Sequence, residues 1–417
     1  MKKFLTIIIA IFITFTLWAN ETEETGEEKP PFRMKDRTWE VGLANMQIYT
    51  ANDFLTTNDF FQETFVIDLD EFKKGFRYTF GLDITPLHFN FNRNNQWGFG
   101  MDLGRINAYG NLNVSGNLLG LAPAEKDEFG VGAAVFADIG IPAFLQLKKL
   151  KIKVRPAWYL PLIYTEPEVT YTNKKIKRPD GTTGIILELD YKMRFYTPYC
   201  FDPGDSDSPD SKEVMNSYKA RALGFDFGAG AEYSLFSWLD LGLDFTNIPL
   251  IPSKLSYYMQ LDSNLSLDTS KINFKDLIDG EDIPEDAYNV PDNVDLVHGT
   301  DDKLIVRPFK MIASADFHPF KTRILSFIPS FGFAVNSLYV KPASIEGGLK
   351  LRLDLANVFI ATGGISYEDR LWKNSLDFIL NVRVFEFNFG ISGQSQDFAK
   401  SWQGGGVGVN IGMLFGW

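Results

Sequence analysis

The sequence predicts an all-β protein, a transmembrane antiparallel β-barrel of about fourteen strands with short turns at one end and long loops at the other. Three observations predict it. Segments near ten residues long, in which apolar and polar side chains alternate, recur from Trp39 to the end of the chain. A period of two places one face of each strand against an apolar surrounding and the other against a wet one. Beyond residue 19 no run of about twenty apolar residues occurs, which excludes helical spans. Finally, the connections between segments alternate between short and long, as they do when one end of a barrel carries turns and the other carries loops.

Residues 1–19 read as an export signal. Lys2 and Lys3 give a positive start, Phe4 to Trp18 an apolar core, and Ala19 a small residue before cleavage. No cysteine follows, so a lipid anchor is not expected, and the apolar run is short for an uncleaved helical anchor. Residues 20–37 form an acidic tail with Glu21, Glu23, Glu24, Glu27 and Glu28 ahead of Pro30 and Pro31, a composition that cannot build a core.

Residues 38–417 are the barrel. Its first strand runs from Trp39 through Val41 and Leu43 towards Tyr49. The clearest carries Phe76, Tyr78, Phe80, Leu82 and Ile84 on one face, with Arg77, Thr79, Gly81 and Asp83 on the other. Trp97 to Leu103, Phe129 to Ile141 and Leu150 to Leu162 alternate in the same way, and so do eight later segments up to Val407–Phe415. Short connections fall near residues 93–95, 146–149, 236–237, 319–321, 356–357 and 386. Long ones fall at 50–75, 107–128, 165–219, 268–303, 336–344, 368–375 and 392–403. The two kinds alternate when 238–267 is one long strand kinked at Pro249 and Pro252, and when 185–195 is an arm standing above the barrel. Counting the arm and the Leu255 segment as separate spans gives about sixteen strands, but that places a long connection among the short turns. Trp39, Trp97, Trp238 and Trp417 then gather at the turn end, as an interfacial aromatic girdle does.

In the last segment Val407, Val409, Ile411, Met413 and Phe415 alternate with Gly406, Gly408, Asn410, Gly412 and Leu414, and the chain stops on Trp417. An open edge would leave unpaired N–H and C=O groups in lipid, so this strand is expected to close on the first. A final alternating strand ending in an aromatic resembles the signal that outer-membrane β-barrel proteins present to their assembly machinery. The resemblance implies the outer membrane of a diderm bacterium, lipid around the wall, and a periplasmic side for the tail and short turns. The strand count, the size and an apolar external loop make the chain similar to the FadL-type channels for hydrophobic compounds. That family's N-terminal hatch, with its Asn-Pro-Ala turn, has no match before Trp39, and no ligand residue carries over.

A net charge of −12 argues against a nucleic-acid partner. The single cysteine, Cys200, excludes a disulfide framework, and His88, His298 and His318 show no metal-ligand spacing, so no metal or cofactor is expected. No nucleophile elbow, zincin motif or P-loop occurs, and no enzyme is expected. Charges facing lipid would cost roughly 2–4 kcal/mol each for Arg or Lys, so the alternation turns the charged set inward. The candidate lumen-lining residues are Asp83, Asp102, Lys151, Lys153, Arg155, Asp226, Glu232, Asp244, Arg352, Asp354 and Arg383. They either rigidify a wet interior through cross-strand pairs or line a permeation path. Inward glycines, among them Gly132, Gly224, Gly230 and Gly406, mark places where another segment packs against the wall, or else ease its curvature. In loop 50–75, Phe54, Phe60, Phe61, Phe65 and Phe72 make an apolar surface suited to capturing a hydrophobic small molecule. Three readings remain open: a passive channel for small hydrophobic solutes, a surface barrel whose external loops bind a host or envelope partner, and a soluble periplasmic β protein, which would need no detergent for extraction.

Overall fold

Strand alternation dominates the computed structural model, which describes residues 37–53, 56, 75–115, 130–166, 186–200, 216–268, 288–289, 295–320, 323–339, 341–382 and 384–417. The expected signal, nearly all of the acidic tail, the five loop phenylalanines and Arg383 lie outside the described residues. The first part of the wall comprises β1 (Trp39–Asn52), β2 (Gly75–Arg93), β3 (Trp97–Ser115), β4 (Gly130–Gly140), β5 (Ala143–Leu147) and β6 (Leu150–Thr165). The middle comprises β7 (Ile186–Thr197), β8 (Gly224–Phe236), β9 (Leu239–Ile251), β10 (Ser253–Asp268), β11 (Tyr288–Asn289), β12 (Asp295–Ile305) and β13 (Phe309–Phe317). The last comprises β14 (Leu325–Val335), β15 (Ala343–Leu355), β16 (Phe359–Glu368), β17 (Leu371–Val382), β18 (Phe385–Ser395) and β19 (Gly406–Gly416).

All pairings are antiparallel, and β19 pairs with β1 from Glu40↔Gly416 to Ala51↔Gly406, which closes the sheet. The N–H of Thr38 donates to the carbonyl of Trp417 at 2.9 Å, so the seam extends to the last residue. Three traverses are interrupted: β4 runs on into β5, β9 into β10 and β12 into β13. Among the described residues β7 pairs with the outer part of β10 and with only two residues of β6, and the two-residue β11 pairs only with β10, so neither crosses the wall. What remains is a closed fourteen-strand antiparallel barrel, not the sixteen-strand alternative. Among the described residues no helix is long and apolar enough to cross a membrane.

The outer wall is apolar. On β15, Ile345, Leu349, Leu351, Leu353 and Leu355 are exposed, and on β13 so are Met311 and Phe317. Lipid replaces water as the surrounding of such a closed, greasy wall. A ring of aromatics circles its turn end: Trp39 lies 4.6 Å from Phe91, Trp97 5.2 Å from Phe91, and Trp238 5.5 Å from Phe317, centroid to centroid. Tight turns use residues that tolerate positive φ: Asn94 and Asn95, and Ala356 and Asn357. The connection after β16, expected as a long loop over 368–375, is instead a two-residue turn of Asp369 and Arg370 with φ of 51° and 64°. Tyr49 was expected on the outer face of β1, yet it is buried inside. The register of β1 with β19 shifts between Leu43 and Met46, and one extra residue turns the following side chains to the other face.

Candidate functional site

The interior divides into a dry half and a wet half. Against β4, β6, β7, β10 and β12, the inward side chains Phe136, Tyr159, Tyr164, Tyr196, Leu255 and Ile305 form a buried cluster with Leu338. Leu338 belongs to the connection between β14 and β15, which folds into the lumen. Its carbonyl accepts from Asn111 Nδ2 at 2.8 Å, the neighbouring Ser337 carbonyl accepts from the Tyr164 hydroxyl at 3.3 Å, and Asn336 Oδ1 accepts from the Leu338 N–H at 3.0 Å. Tyr339 donates to the Asp369 carbonyl at 3.2 Å, so the segment bridges opposite walls. A Cβ at Gly132 would collide with the Leu338 carbonyl, which explains a glycine there. At Gly224 and Gly230 the space is taken by the side chains of Tyr159 and Asp244, and at Gly406 by the backbone of β1. Of these four glycines, only Gly132 admits an inward loop.

Beneath the apolar cluster runs a chain of charges that sequence reasoning located only in part. Arg307, in the break between β12 and β13, donates from Nε and Nη2 to the two oxygens of Asp226 at 2.6 and 2.7 Å, and its Nη1 pairs with Asp138. Arg155 donates from Nη2 to Asp138 at 2.7 Å and from Nε to Asp102 at 2.9 Å. His88 Nδ1 lies 2.6 Å from the other oxygen of Asp102. Six side chains from β2, β3, β4, β6, β8 and the β12–β13 break thus form one network, with three carboxylates against two guanidinium groups and an imidazole. Arg307, Asp138 and Asp226 are 3%, 3% and 1% exposed, so Asp226 is a buried partner and no free lumen surface. Arg307 lies outside any alternating segment, and neither Asp138 nor His88 is among the candidate lumen-lining residues. Alternating parity could have found Asp138, since Ile139 faces out.

The other predicted residues within the described set make local contacts. Asp83 accepts from Arg105 Nε at 3.0 Å, Lys153 pairs with Glu232, and Arg352 Nη2 donates to Asp354 at 3.0 Å. Lys151 sits 5.0 Å above the Phe144 ring, and Asp244 stands opposite Gly230. On the far side Lys310 Nζ, also missed, lies 2.8 Å from Asp369 and 3.3 Å from Glu346.

The wet half holds two cavities of about 330 and 190 Å³ that share Gln47 and follow the wall from β15 through β19 to β3. The larger is lined by Asn45, Asp83, Thr85, Asp102 and Arg105 among others. At its height three neighbouring strands break. β1 does so at Ala44 (φ 51°), β2 at Pro86, which has no N–H to donate, and β3 at Gly104 (φ 67°). Pairing of β2 with β3 stops at Ile84↔Ile106 and resumes at Leu87↔Leu103, while β3 slips against β4 between Asp102 and Arg105. A Cβ at Gly104 would meet nothing within 4 Å, so the space beside this break is open. Breaks that coincide across adjacent strands weaken the ladder at one point, and the bulges of β1 against β19 and of β3 against β4 re-aim the flanking side chains.

Neither protein-family models nor curated protein sequences match the chain. Solved structures do. The Ralstonia pickettii toluene transporter TbuX is 9% identical over 92% of this chain and 90% of its own, with a TM-score of 0.44. The P. putida toluene transporter TodX is 9% identical over 91% and 90%, with a TM-score of 0.45. A Pseudomonas aeruginosa FadL homologue is 10% identical over 91% and 89%, with a TM-score of 0.43. In layout the chain is similar to FadL-type barrels. The likeness is one of layout alone, and the strand count and closure stand on the pairing already described.

Proposed function

We propose that the protein is an outer-membrane channel through which small hydrophobic solutes diffuse inward. The polar cavities along β15–β19 and β1–β3 are the conduit, and the break at Ala44, Pro86 and Gly104 is the exit. The alignment of that break with the larger cavity carries the reading. The charges beside it are already paired, Asp83 with Arg105 and Asp102 with His88 and Arg155, so they present no bare charge to a passing solute. A hydrophobic solute gains roughly 25 cal/mol per Å² by reaching lipid instead of water, which favours leaving sideways over crossing a wet interior. Capture by Phe54, Phe60, Phe61, Phe65 and Phe72, export by residues 1–19, a periplasmic tail at 20–37, and delivery to the assembly machinery through the strand ending at Trp417 belong to the same reading.

Deleting Gly104 removes one residue of the bulge and tests the exit. Uptake of a radiolabelled monoaromatic hydrocarbon by cells lacking other channels should fall at least tenfold, while the barrel still migrates as a folded, heat-modifiable species. Unchanged uptake refutes the exit. A second reading, a surface barrel that binds a partner through its external loops, draws support from the arm of β7, β10 and β12 that continues past the end of β8. It would gain ground if the wild-type barrel moved no hydrophobic or hydrophilic solute and excision of the arm abolished adhesion.

A further inference from the structure

At the turn end, away from the cavities, a cluster of side chains has no part in the channel reading. Asp240 near the start of β9 and Asp316 near the end of β13 stand directly opposite one another in the β9–β13 register. Both lie on the inward face. Like charges at directly opposed positions of a sheet repel, so this register calls for a cation between them. Arg323 serves only one of the four oxygens, Nη2 lying 2.6 Å from Asp240 Oδ2. His318, two residues beyond Asp316, is 1% exposed, and its N–H donates to the Trp238 carbonyl at 2.9 Å, which pins its backbone against the β8–β9 turn.

Three atoms at this point are buried without a hydrogen-bond partner: Asp240 Oδ1, Asp316 Oδ1 and His318 Nδ1. One potential ligand atom from each of the three residues lies within 4.8 Å of the other two. The ring nitrogen is 3.6 Å from Asp316 Oδ1, too far for a hydrogen bond. Buried polar atoms in folded proteins are nearly always paired, so three orphans converging on one point mark a place where something else supplies the partner. Each of them carries a lone pair that can ligate.

We propose that Asp240, Asp316 and His318 bind a divalent transition-metal ion of the zinc class, which staples β9 to β13 at the periplasmic end of the barrel. One imidazole nitrogen and two carboxylate oxygens are a zinc donor set with a fourth position left for water. Donors bound at about 2.1 Å lie roughly 3.5 Å apart in a tetrahedron, so closing the site asks for side-chain adjustments of about an ångström. Calcium prefers six to eight oxygens and magnesium an octahedron of them, neither of which this corner supplies. Arg323 holds the second oxygen of Asp240 and so orients that ligand, as partners beyond the metal's own ligands commonly do. The residues escape a search for metal motifs because 76 positions separate Asp240 from Asp316, and only the β9–β13 pairing joins them.

The test uses untagged full-length protein folded in detergent, zinc chloride as the probe, and calorimetry together with metal analysis after dialysis. The wild type and His298→Gln, whose histidine lies on β12, should each bind one zinc per chain and unfold at a higher temperature with zinc than with a chelator. His318→Gln, Asp316→Asn and Asp240→Asn should bind at least tenfold more weakly and lose the zinc-dependent shift. Heat-modifiable migration identifies which variants have folded, and any one folded variant suffices. X-ray absorption at the zinc edge of the wild type should show a single imidazole among light ligands. No saturable binding by the wild type, undiminished affinity in a folded variant, or a zinc shell without imidazole overturns the assignment. Solute uptake is read separately, so failure here does not bear on the channel.

Discussion

Replacing Arg307 by methionine should be among the most damaging single changes in the wall, and its cost can be worked from the contacts. Methionine keeps much of the length and volume but removes every charged donor. Asp138 retains Arg155, whereas both oxygens of Asp226 accept from Arg307, and Asp226 is 1% exposed. The substitution therefore strands a single buried carboxylate. Breaking a buried pair from one side costs about 3–5 kcal/mol, more than a hundredfold in the folding constant. Adding Asp226→Asn to the same chain replaces the stranded charge with a neutral amide. The two changes should then be strongly non-additive, with a coupling of at least about 2 kcal/mol. Reversible urea titration of the barrel in lipid vesicles, followed by tryptophan fluorescence, measures both quantities. A loss below about 1 kcal/mol for Arg307→Met, or additivity within about 0.5 kcal/mol, would refute the idea that the Arg307–Asp226 pair is dry and tightly coupled.

The remaining predictions test the same picture elsewhere. Lys153→Met breaks a pair with Glu232 whose side chains are 40% and 42% exposed, so the same titration should show a loss under about 1 kcal/mol. Gly132→Val forces a side chain onto the Leu338 carbonyl. It should cost about 1–3 kcal/mol and, by displacing the inward segment, raise single-channel conductance in planar bilayers; unchanged conductance would mean that the segment does not obstruct the lumen. Gly406→Val places a Cβ against Thr50 and Ala51 at the closing seam, and should reduce the yield of heat-modifiable barrel more than Val407→Ala on the outer face does.

Much of the wall was legible because lipid allows only one solution for a chain without apolar helices: every strand is paired and every strand alternates. The long β9–β10 traverse and the arm at β7 both follow from that rule together with loop length. It fails wherever the strand is irregular. Tyr49 changes faces because a bulge at Ala44 shifts the parity, and Arg307 falls between two strands where no alternation applies. The turn at Asp369 and Arg370 replaces the expected loop: Asp369 suits a tight turn, but Arg370 is an uncommon residue for the positive φ that it adopts, and the pair gives no clear turn signal. His88 and His318 show no ligand spacing in the sequence. Their neighbours Asp102 and Asp240 lie 14 and 78 positions away and become neighbours only through strand pairing.

By itself the sequence determined that this protein is a single curved sheet, greasy outside, closed on its first strand, and about fourteen strands wide. Period-two patterning is a local property of the chain, and the hydrocarbon surrounding penalises every exception to it. Only the tertiary structure decided what fills the middle. It placed a dry cluster under the Leu338 segment, a shared set of buried charges around Arg307, cavities along the opposite wall, and three strand breaks at one height. Each depends on which positions of distant strands come to stand side by side, and register between strands is fixed by closure of the whole barrel, beyond the reach of any one segment.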